Sequence, residues 1–324
     1  ICHSDIHDIK GDLGGELPFV PGHEAAGYVE EIGEDVSTVQ VGDPVVVSLL
    51  ASCSKCTSCL NGLHHLCDRR PTMDWSKHLR NKKGEKLIQK GRVAGFAEYS
   101  IVHESQLVKV PNNLPMDKAC LFACGIITGF GAVINRAKIS PFESVVVIGI
   151  GGVGLNTIQA AAYSGADPVI AVDLLSDKLK YAANFGATEI VNASQENPVE
   201  KVKDLTRGKG VDYAFITVGN ASAIKQGLDM LGKRGTAVIV GIAPVNEILN
   251  ISPIELLGYE KNIMGCHMGS TTPALDIPKL INLYQRGILK VDELISAHYP
   301  LESINEAMFS SAKGEAIRNI IIFN

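Results

Sequence analysis

The chain of 324 residues is poor in the features that mark membrane, disordered and nucleic-acid-binding proteins. No apolar run reaches the roughly 20 residues that a membrane-spanning helix needs. No stretch is of low complexity, and no repeat recurs at the period of a solenoid. With 30 Lys and Arg against 35 Asp and Glu the formal net charge is -5, which leaves no basic footprint for nucleic acid. No signal peptide is recognisable. The chain opens at Ile1 rather than at a Met, and the expectation is that its true N-terminus lies upstream. What is present, 46% hydrophobic and 20% charged residues, is enough for two domains with substantial cores.

The most informative stretch runs from Val145 to Asp173. An apolar run of strand length ends in Gly149-x-Gly151-x-x-Gly154, passes into apolar residues at helical spacing, and returns to a second apolar run that closes on Asp173. Gly149 suits a tight turn, Gly151 lets the backbone approach a pyrophosphate, and Gly154 lets the helix pack closely on the strand. The free N–H groups at the start of that helix, around Gly152 and Val153, meet phosphates together with the positive end of the helix dipole. A carboxylate at Asp173 accepts from both hydroxyls of an adenosine ribose and repels the extra phosphate of NADP, so the expected cofactor is NAD.

The eight cysteines are unevenly placed. Cys53, Cys56, Cys59 and Cys67 have the spacing C-x2-C-x2-C-x7-C, and four thiolates from one compact loop close a tetrahedron around zinc with no open position. This reads as a structural zinc site in a reducing cytosol rather than a disulfide pair or a set of free thiols. Spacing does not name a metal, so an iron–sulfur cluster stays open.

The remainder sorts into domains. Ile1–Pro21 crowds Cys2, His3, Ser4, Asp5 and His7 ahead of turn-forming Gly and Pro, and the segment from Phe19 to Val47 carries short alternating strands separated by Gly33, Gly42 and Asp43-Pro44. Asp68–Gly95 is polar and basic, an excursion whose Lys82, Lys83, Lys86, Lys90 and Arg92 read as a solvated face. Strand alternation resumes from Gly95 to Pro111, and Met116–Ala137 reads as a helix with Cys120 and Cys124 on one face. After Asp173, helices and buried strands alternate as in a parallel sheet covered on both faces. Val218 and Val240, at the ends of two of those strands, are further candidate cofactor contacts. The expected fold is α/β, a doubly wound parallel Rossmann sheet joined to a β-rich domain. Its expected boundaries are 1–126, 127–268 and 269–324, the last returning to the first domain through helices at Ile277–Arg286 and Leu301–Ala312 and a strand near the C-terminus.

With CHSDIH, GHEAAG, the four-cysteine loop, ACGIITGFGA and VIGIGGVG met in this order, the chain resembles the zinc-dependent medium-chain alcohol dehydrogenases, nearest their liver-type branch. The resemblance runs from Ile1 to the C-terminus, implies a GroES-like catalytic domain, and implies that several tens of residues precede Ile1 in relatives. It implies that Cys2, His23 and Cys124 hold a catalytic zinc with a fourth position open, giving two Zn2+ per chain. Asp5 then matches an acid that orients the His23 ring, and Glu24 matches a carboxylate behind the metal. Both have the plainer reading of turn or surface acids.

By the same resemblance zinc polarises the oxygen of an alcohol, Ser4 takes its proton and His7 passes it to solvent, while NAD accepts the hydride. His7 also has a plainer reading, as a hydrogen-bonded structural histidine. His3 and Arg318 match residues that contact the cofactor's phosphates, and Lys178 matches a lysine near its ribose. Ser4, Leu13, Leu49, Ile242 and His267 fall at or near pocket positions, which implies a mostly apolar channel. The expected partner is a small alcohol or aldehyde, with no nucleic acid and no membrane, and the expected assembly is a homo-oligomer, a dimer or a tetramer, in the cytoplasm. The formaldehyde and glutathione branch places an acid and an Arg where Leu13 and Pro71 stand here, which argues against oxidation of S-hydroxymethylglutathione. A third reading is a fragment that binds NAD and zinc without assembling a competent pocket.

Overall fold

The structure, a computed structural model, describes residues 1–71 and 79–323. It divides into two units, Ile1–Ile127 with Thr271–Asn324, and Thr128–Ser270.

The first unit opens with a helix that the sequence reading did not anticipate, α1 (His3–Lys10). Cys2 is its N-cap, the Asp5 carboxylate accepts the Cys2 backbone N–H at 3.0 Å, and Ile6 is buried beneath it. An acid one turn in satisfies a backbone donor that the helix itself leaves unpaired. The chain then forms β1 (Phe19–Val20), β2 (Ala25–Tyr28), β3 (Pro44–Val47), the short α2 (Thr57–Leu60) inside the four-cysteine loop, β4 (Ile88–Gln89) and β5 (Leu107–Lys109). β2, β3 and β5 make an antiparallel sheet, and β1 pairs with β4 in parallel.

Three expectations change here. Strand alternation between Gly95 and Pro111 yields only the three residues of β5, preceded by a 3-10 turn at Glu104–Gln106. The basic cluster is not one solvated face. Lys82, Lys83 and Lys86 are exposed, but Lys90 turns inward onto Asp8 at 2.9 Å, and Arg92 is half-buried. Part of that excursion, residues 72–78, lies outside the described residues. Finally, Met116–Ala137 is not one helix: α3 (Met116–Ala119) runs into a 3-10 turn at Cys120–Ala123, Cys124 leaves helical geometry with φ -142° and ψ -71°, and α4 (Gly125–Gly131) resumes before a π-helical stretch at Ala132–Ala137. The break ends the helical register between Cys120 and Cys124, so the two do not share a helix face.

The second unit is the alternating α/β body: β6 (Val145–Ile148), α5 (Gly152–Tyr163), β7 (Val169–Asp173), α6 (Ser176–Asn184), β8 (Glu189–Asn192), α7 (Pro198–Leu205), β9 (Val211–Ile216), α8 (Ala221–Met230), β10 (Leu231–Ile239), α9 (Pro253–Tyr259) and β11 (Asn262–Gly265). All pairings are parallel and the spatial order is β11-β10-β9-β6-β7-β8. Val145, Val146 and Val147 are fully buried, as expected of a strand covered on both faces. The order reverses between β6 and β9, and a sheet of this kind receives ligands outside the carboxyl ends of its strands at that point.

The chain returns to the first unit with α10 (Pro273–Gln285), β12 (Ile295–Pro300), α11 (Ile304–Lys313) and β13 (Arg318–Ile322), the two strands pairing in parallel. Among the described residues no single helix is long and apolar enough to cross a membrane. The bent pair Met116–Ala123 and Gly125–Ala137 passes that test only when joined, and it is buried from Ala119 to Val133.

Gly154 brings α5 hard against the turn that follows β6, because a Cβ placed there would lie 1.9 Å from the backbone oxygen of Gly149. Gly154→Ala is expected to destabilise the protein by about 1–3 kcal/mol through overpacking. The midpoint of denaturant unfolding measures this, and an unchanged midpoint would show that α5 can back away from the turn freely.

Candidate functional site

Each unit presents its own cluster of candidate residues. In the second unit, Gly149, Val218 and Val240 lie just past the carboxyl ends of the neighbouring strands β6, β9 and β10, and Asp173 closes β7. Gly149 turns with φ 93°, its oxygen accepts the Thr217 hydroxyl at 2.6 Å, and a Cβ on it would strike the Val218 side chain. Gly151 caps α5, and Gly152 and Val153 form its first turn. Asp173 is held by two backbone donors, Ile150 N–H at 2.6 Å and Leu175 N–H at 2.9 Å, so its carboxylate is fixed against the glycine turn. Lys178 sits half-buried near the start of α6. Ile242 and His267 are exposed beyond β10 and β11.

In the first unit, Cys2, His23 and Cys124 come together from three distant parts of the sequence. All are buried, and their ligand-type atoms lie within 4.8 Å of one another. The Asp5 carboxylate makes this possible. It accepts the Cys2 and Gly22 backbone N–H groups at 3.0 and 3.3 Å and meets His23 Nδ1 at 2.9 Å. A carboxylate on Nδ1 commits that nitrogen to carry the proton and leaves Nε2 as the donor to a cation. Burial disfavours a charged His23, but the charges and hydrogen bonds of Asp5 and Cys2 together outweigh it and push the imidazole well above its ordinary value. The hydrogen bond from the Cys124 thiol is the main reason Cys2 lies well below the usual thiol range. The same bond, aided by burial, pushes Cys124 well above it. The two sulfurs thus hold one negative charge comfortably and resist a second. A divalent cation between them removes that resistance, and a buried set of two thiolates and one imidazole is a zinc-type donor set.

Ser4 Oγ lies 3.2 Å from Cys2 Sγ and 3.4 Å from His23 Nε2, and His7 stands one turn further along α1. His3 is exposed at the start of that helix, while Leu13 and Leu49 are half-buried. Glu24 is buried behind the ligands: Oε1 accepts the Gly125 N–H at 3.1 Å, and Oε2 lies 3.4 Å from Arg318 Nε. Arg318 is buried as well. Burial opposes its charge, but Glu24 and the sulfurs of Cys2 and Cys124 raise its pKa further. The sequence reading did not place its guanidinium there, since no pattern links Glu24 to a residue 294 positions away.

The four-cysteine loop closes on itself. The ligand atoms of Cys53, Cys56, Cys59 and Cys67 all lie within 4.8 Å of one another, with Cys67 Sγ at 3.5 Å from Cys53 Sγ and 3.8 Å from Cys56 Sγ. Tetrahedral zinc with Zn–S near 2.3 Å sets sulfurs ~3.8 Å apart. All eight cysteines of the chain are free thiols. The Lys55 backbone N–H brings Cys53 down to about 6 and the Cys59 N–H lowers Cys56, whereas burial pushes Cys59 up to about 12. The loop backbone thus favours the thiolate at Cys53 and Cys56, while Cys59 needs a cation to lose its proton.

A doubly wound sheet with a glycine turn and an acid at its switch point, together with a buried zinc-type donor set in a β-rich unit, defines a metal-dependent dinucleotide oxidoreductase. Comparison with known proteins is specific. Residues 1–112 match the alcohol dehydrogenase GroES-like domain and residues 152–286 the zinc-binding dehydrogenase family. A putative alcohol dehydrogenase D of Mycobacterium tuberculosis is 35% identical over 99% of this chain and 89% of that protein. An S-(hydroxymethyl)glutathione dehydrogenase of Komagataella pastoris is 36% identical over 99% of this chain and 87% of that protein. The crystal structure of benzyl alcohol dehydrogenase from Acinetobacter calcoaceticus superposes with a TM-score of 0.91 at 34% identity, covering 100% of this chain and 89% of that one. The chain belongs to the zinc-dependent medium-chain alcohol dehydrogenases, and it is a nicotinamide-dependent oxidoreductase of the alcohol dehydrogenase type.

Asp5→Ala removes the acceptor of three hydrogen bonds from a buried position. It is expected to cost about 3–5 kcal/mol of stability, the range for a buried pair broken on one side. Chemical denaturation measures it, and a loss under about 1 kcal/mol, typical of a surface acid, would show that the site is not organised by this carboxylate.

Proposed function

We propose that this protein is an NAD-dependent alcohol dehydrogenase that interconverts small primary or secondary alcohols with their aldehydes or ketones, carrying two zinc ions per chain. The observation that carries the reading is the convergence of Cys2, His23 and Cys124 with Ser4 Oγ beside two of them. In this reading Cys2, His23 and Cys124 hold the catalytic ion, Cys53, Cys56, Cys59 and Cys67 hold the structural one, and Asp5 and Glu24 support the first set from behind. Bound there, zinc supplies Lewis-acid polarisation of the alcohol oxygen and NAD serves as hydride acceptor. Ser4 accepts the alcohol proton at Oγ, and His7 carries it on to water. Gly149, Gly151, Gly152, Val153, Gly154, Asp173, Lys178, Val218 and Val240 receive the dinucleotide, with His3 and Arg318 as candidate phosphate contacts. The preference for NAD over NADP rests on Asp173 and its fixed carboxylate.

The substrate is an uncharged alcohol with an apolar body, supported by Leu13, Leu49, Ile242 and the likeness to a benzyl alcohol dehydrogenase. S-hydroxymethylglutathione is the second reading, supported by the relative of that activity and opposed by Leu13 and Pro71. The protein acts in the cytoplasm as a homo-oligomer, with no nucleic-acid or membrane partner. A panel of benzylic and medium-chain alcohols, assayed by NADH absorbance with NAD or NADP, tests this. Turnover with NAD and no stimulation by glutathione is expected, and formaldehyde oxidation that depends on glutathione and exceeds alcohol turnover would overturn the reading.

Metal analysis checks the two-ion assignment. Cys59→Ser is expected to lose one zinc per chain and lower the melting temperature, and Cys2→Ser to lose the other zinc together with turnover. Two zinc ions retained in either variant would refute the ligand sets.

A further inference from the structure

The structure assigns a partner to the proton carrier that the family resemblance did not supply. His7 Nδ1 lies 2.7 Å from Asp12 Oδ2, with the His7 side chain one-fifth exposed and that of Asp12 one-third. The contact is built into the end of α1. Gly11 adopts the left-handed conformation, φ 82°, and turns the chain back over the helix. The Gly11 N–H then bonds to Asp8 O at 3.1 Å and the Asp12 N–H to His7 O at 3.0 Å, the reciprocal pair that closes a helix of this type. Asp12 therefore holds His7 twice, by its backbone on the carbonyl and by its side chain on the ring. On the other side, the His3 ring, one helical turn earlier, meets the His7 ring edge-on with centroids 5.3 Å apart.

We propose that Asp12 is the positioning residue of the proton relay, fixing the His7 ring in the tautomer with hydrogen on Nδ1 so that Nε2 is the nitrogen that accepts a proton. The chemistry follows from the acceptor. An ionised carboxylate has no hydrogen to give, so the nitrogen facing it donates and a neutral ring keeps its lone pair on the other nitrogen. In the transfer step Nε2 takes one proton and the ring becomes a cation; Nε2 then gives one proton to water, and the ring returns to the neutral tautomer with hydrogen on Nδ1. Asp12 exchanges none, as for the acid that orients a catalytic histidine elsewhere. Without Asp12, the ring is free to rotate about its side-chain bonds and to present either nitrogen.

This inference rests on the reading of His7 as a proton carrier, and the experiment separates the two. In the full chain, Asp12→Ala is expected to lower kcat about tenfold with the alcohol KM changed less than about twofold, and added imidazole should restore much of the loss. Asp12→Asn keeps an oxygen acceptor and should retain more activity than Asp12→Ala. Nitrogen-15 spectra of histidine-labelled protein should show His7 protonated on Nδ1 in the parent and a mixed tautomer in Asp12→Ala. A kcat within about twofold of the parent in Asp12→Ala, beside a tenfold loss in His7→Gln, would overturn the positioning role while leaving the relay. A parent spectrum with hydrogen on Nε2 would overturn it too. Full activity in His7→Gln would overturn the relay and the role of Asp12 with it. A variant that merely misfolds loses activity that imidazole does not restore.

Discussion

The metal-binding face of the first unit depends on one buried carboxylate. Asp5 accepts from the backbone at Cys2, from the backbone at Gly22 and from the ring of His23, so it joins the start of the first helix to the turn that precedes the second strand. Two of the three candidate ligands are thereby placed by one side chain, 1% exposed. An acid so deeply buried is costly unless every oxygen is used, and here each is. The third candidate ligand, Cys124, stands where the chain leaves helical geometry.

Charge explains why these groups tolerate one another. Cys2 and Cys124 share a single negative charge without a metal, and Arg318 with Glu24 lies buried beside them. A divalent cation converts a cluster with one awkward proton into a balanced one, which is the physical content of calling it a metal site. The four-cysteine loop reaches the same result differently. There the backbone N–H groups of a tight turn bring Cys53 down to about 6 and lower Cys56, while burial pushes Cys59 up to about 12. The loop is a closed set of four sulfurs, whereas the three-ligand cluster has a serine hydroxyl at hand.

The first helix gathers most of the chemistry. Within ten residues it carries a candidate ligand at its cap, a hydroxyl, an orienting acid and two histidines whose rings meet edge-on one turn apart, and the residue that ends it turns Asp12 back onto His7. Helical spacing puts His3 and His7 on one face and Asp5 and Ile6 on the buried side. Asp8 leaves the same helix to pair with Lys90, fixing it against the segment that follows the cysteine loop.

Local patterns made much of this legible. The alternation of apolar strands and helices from Val145 to Gly265 specified the parallel sheet, because a strand buried on both faces must be apolar throughout. The glycine spacing specified the turn, and the cysteine spacing specified a compact sulfur cluster, because all of these are short-range. What sequence could not show were contacts between residues far apart and conformations that break a pattern. The helix expected across Met116–Ala137 breaks at Cys124, Lys90 and Arg92 leave the solvated face, and Arg318 crosses the unit to meet Glu24. Even the Asp12–His7 bond, five residues apart, depends on Gly11 taking the left-handed conformation. Periodicity and spacing are properties of the chain alone, and so the sequence by itself determined the elements and the local motifs. Which side chains share a buried charge depends on the packing of distant segments, and only the tertiary structure decided that.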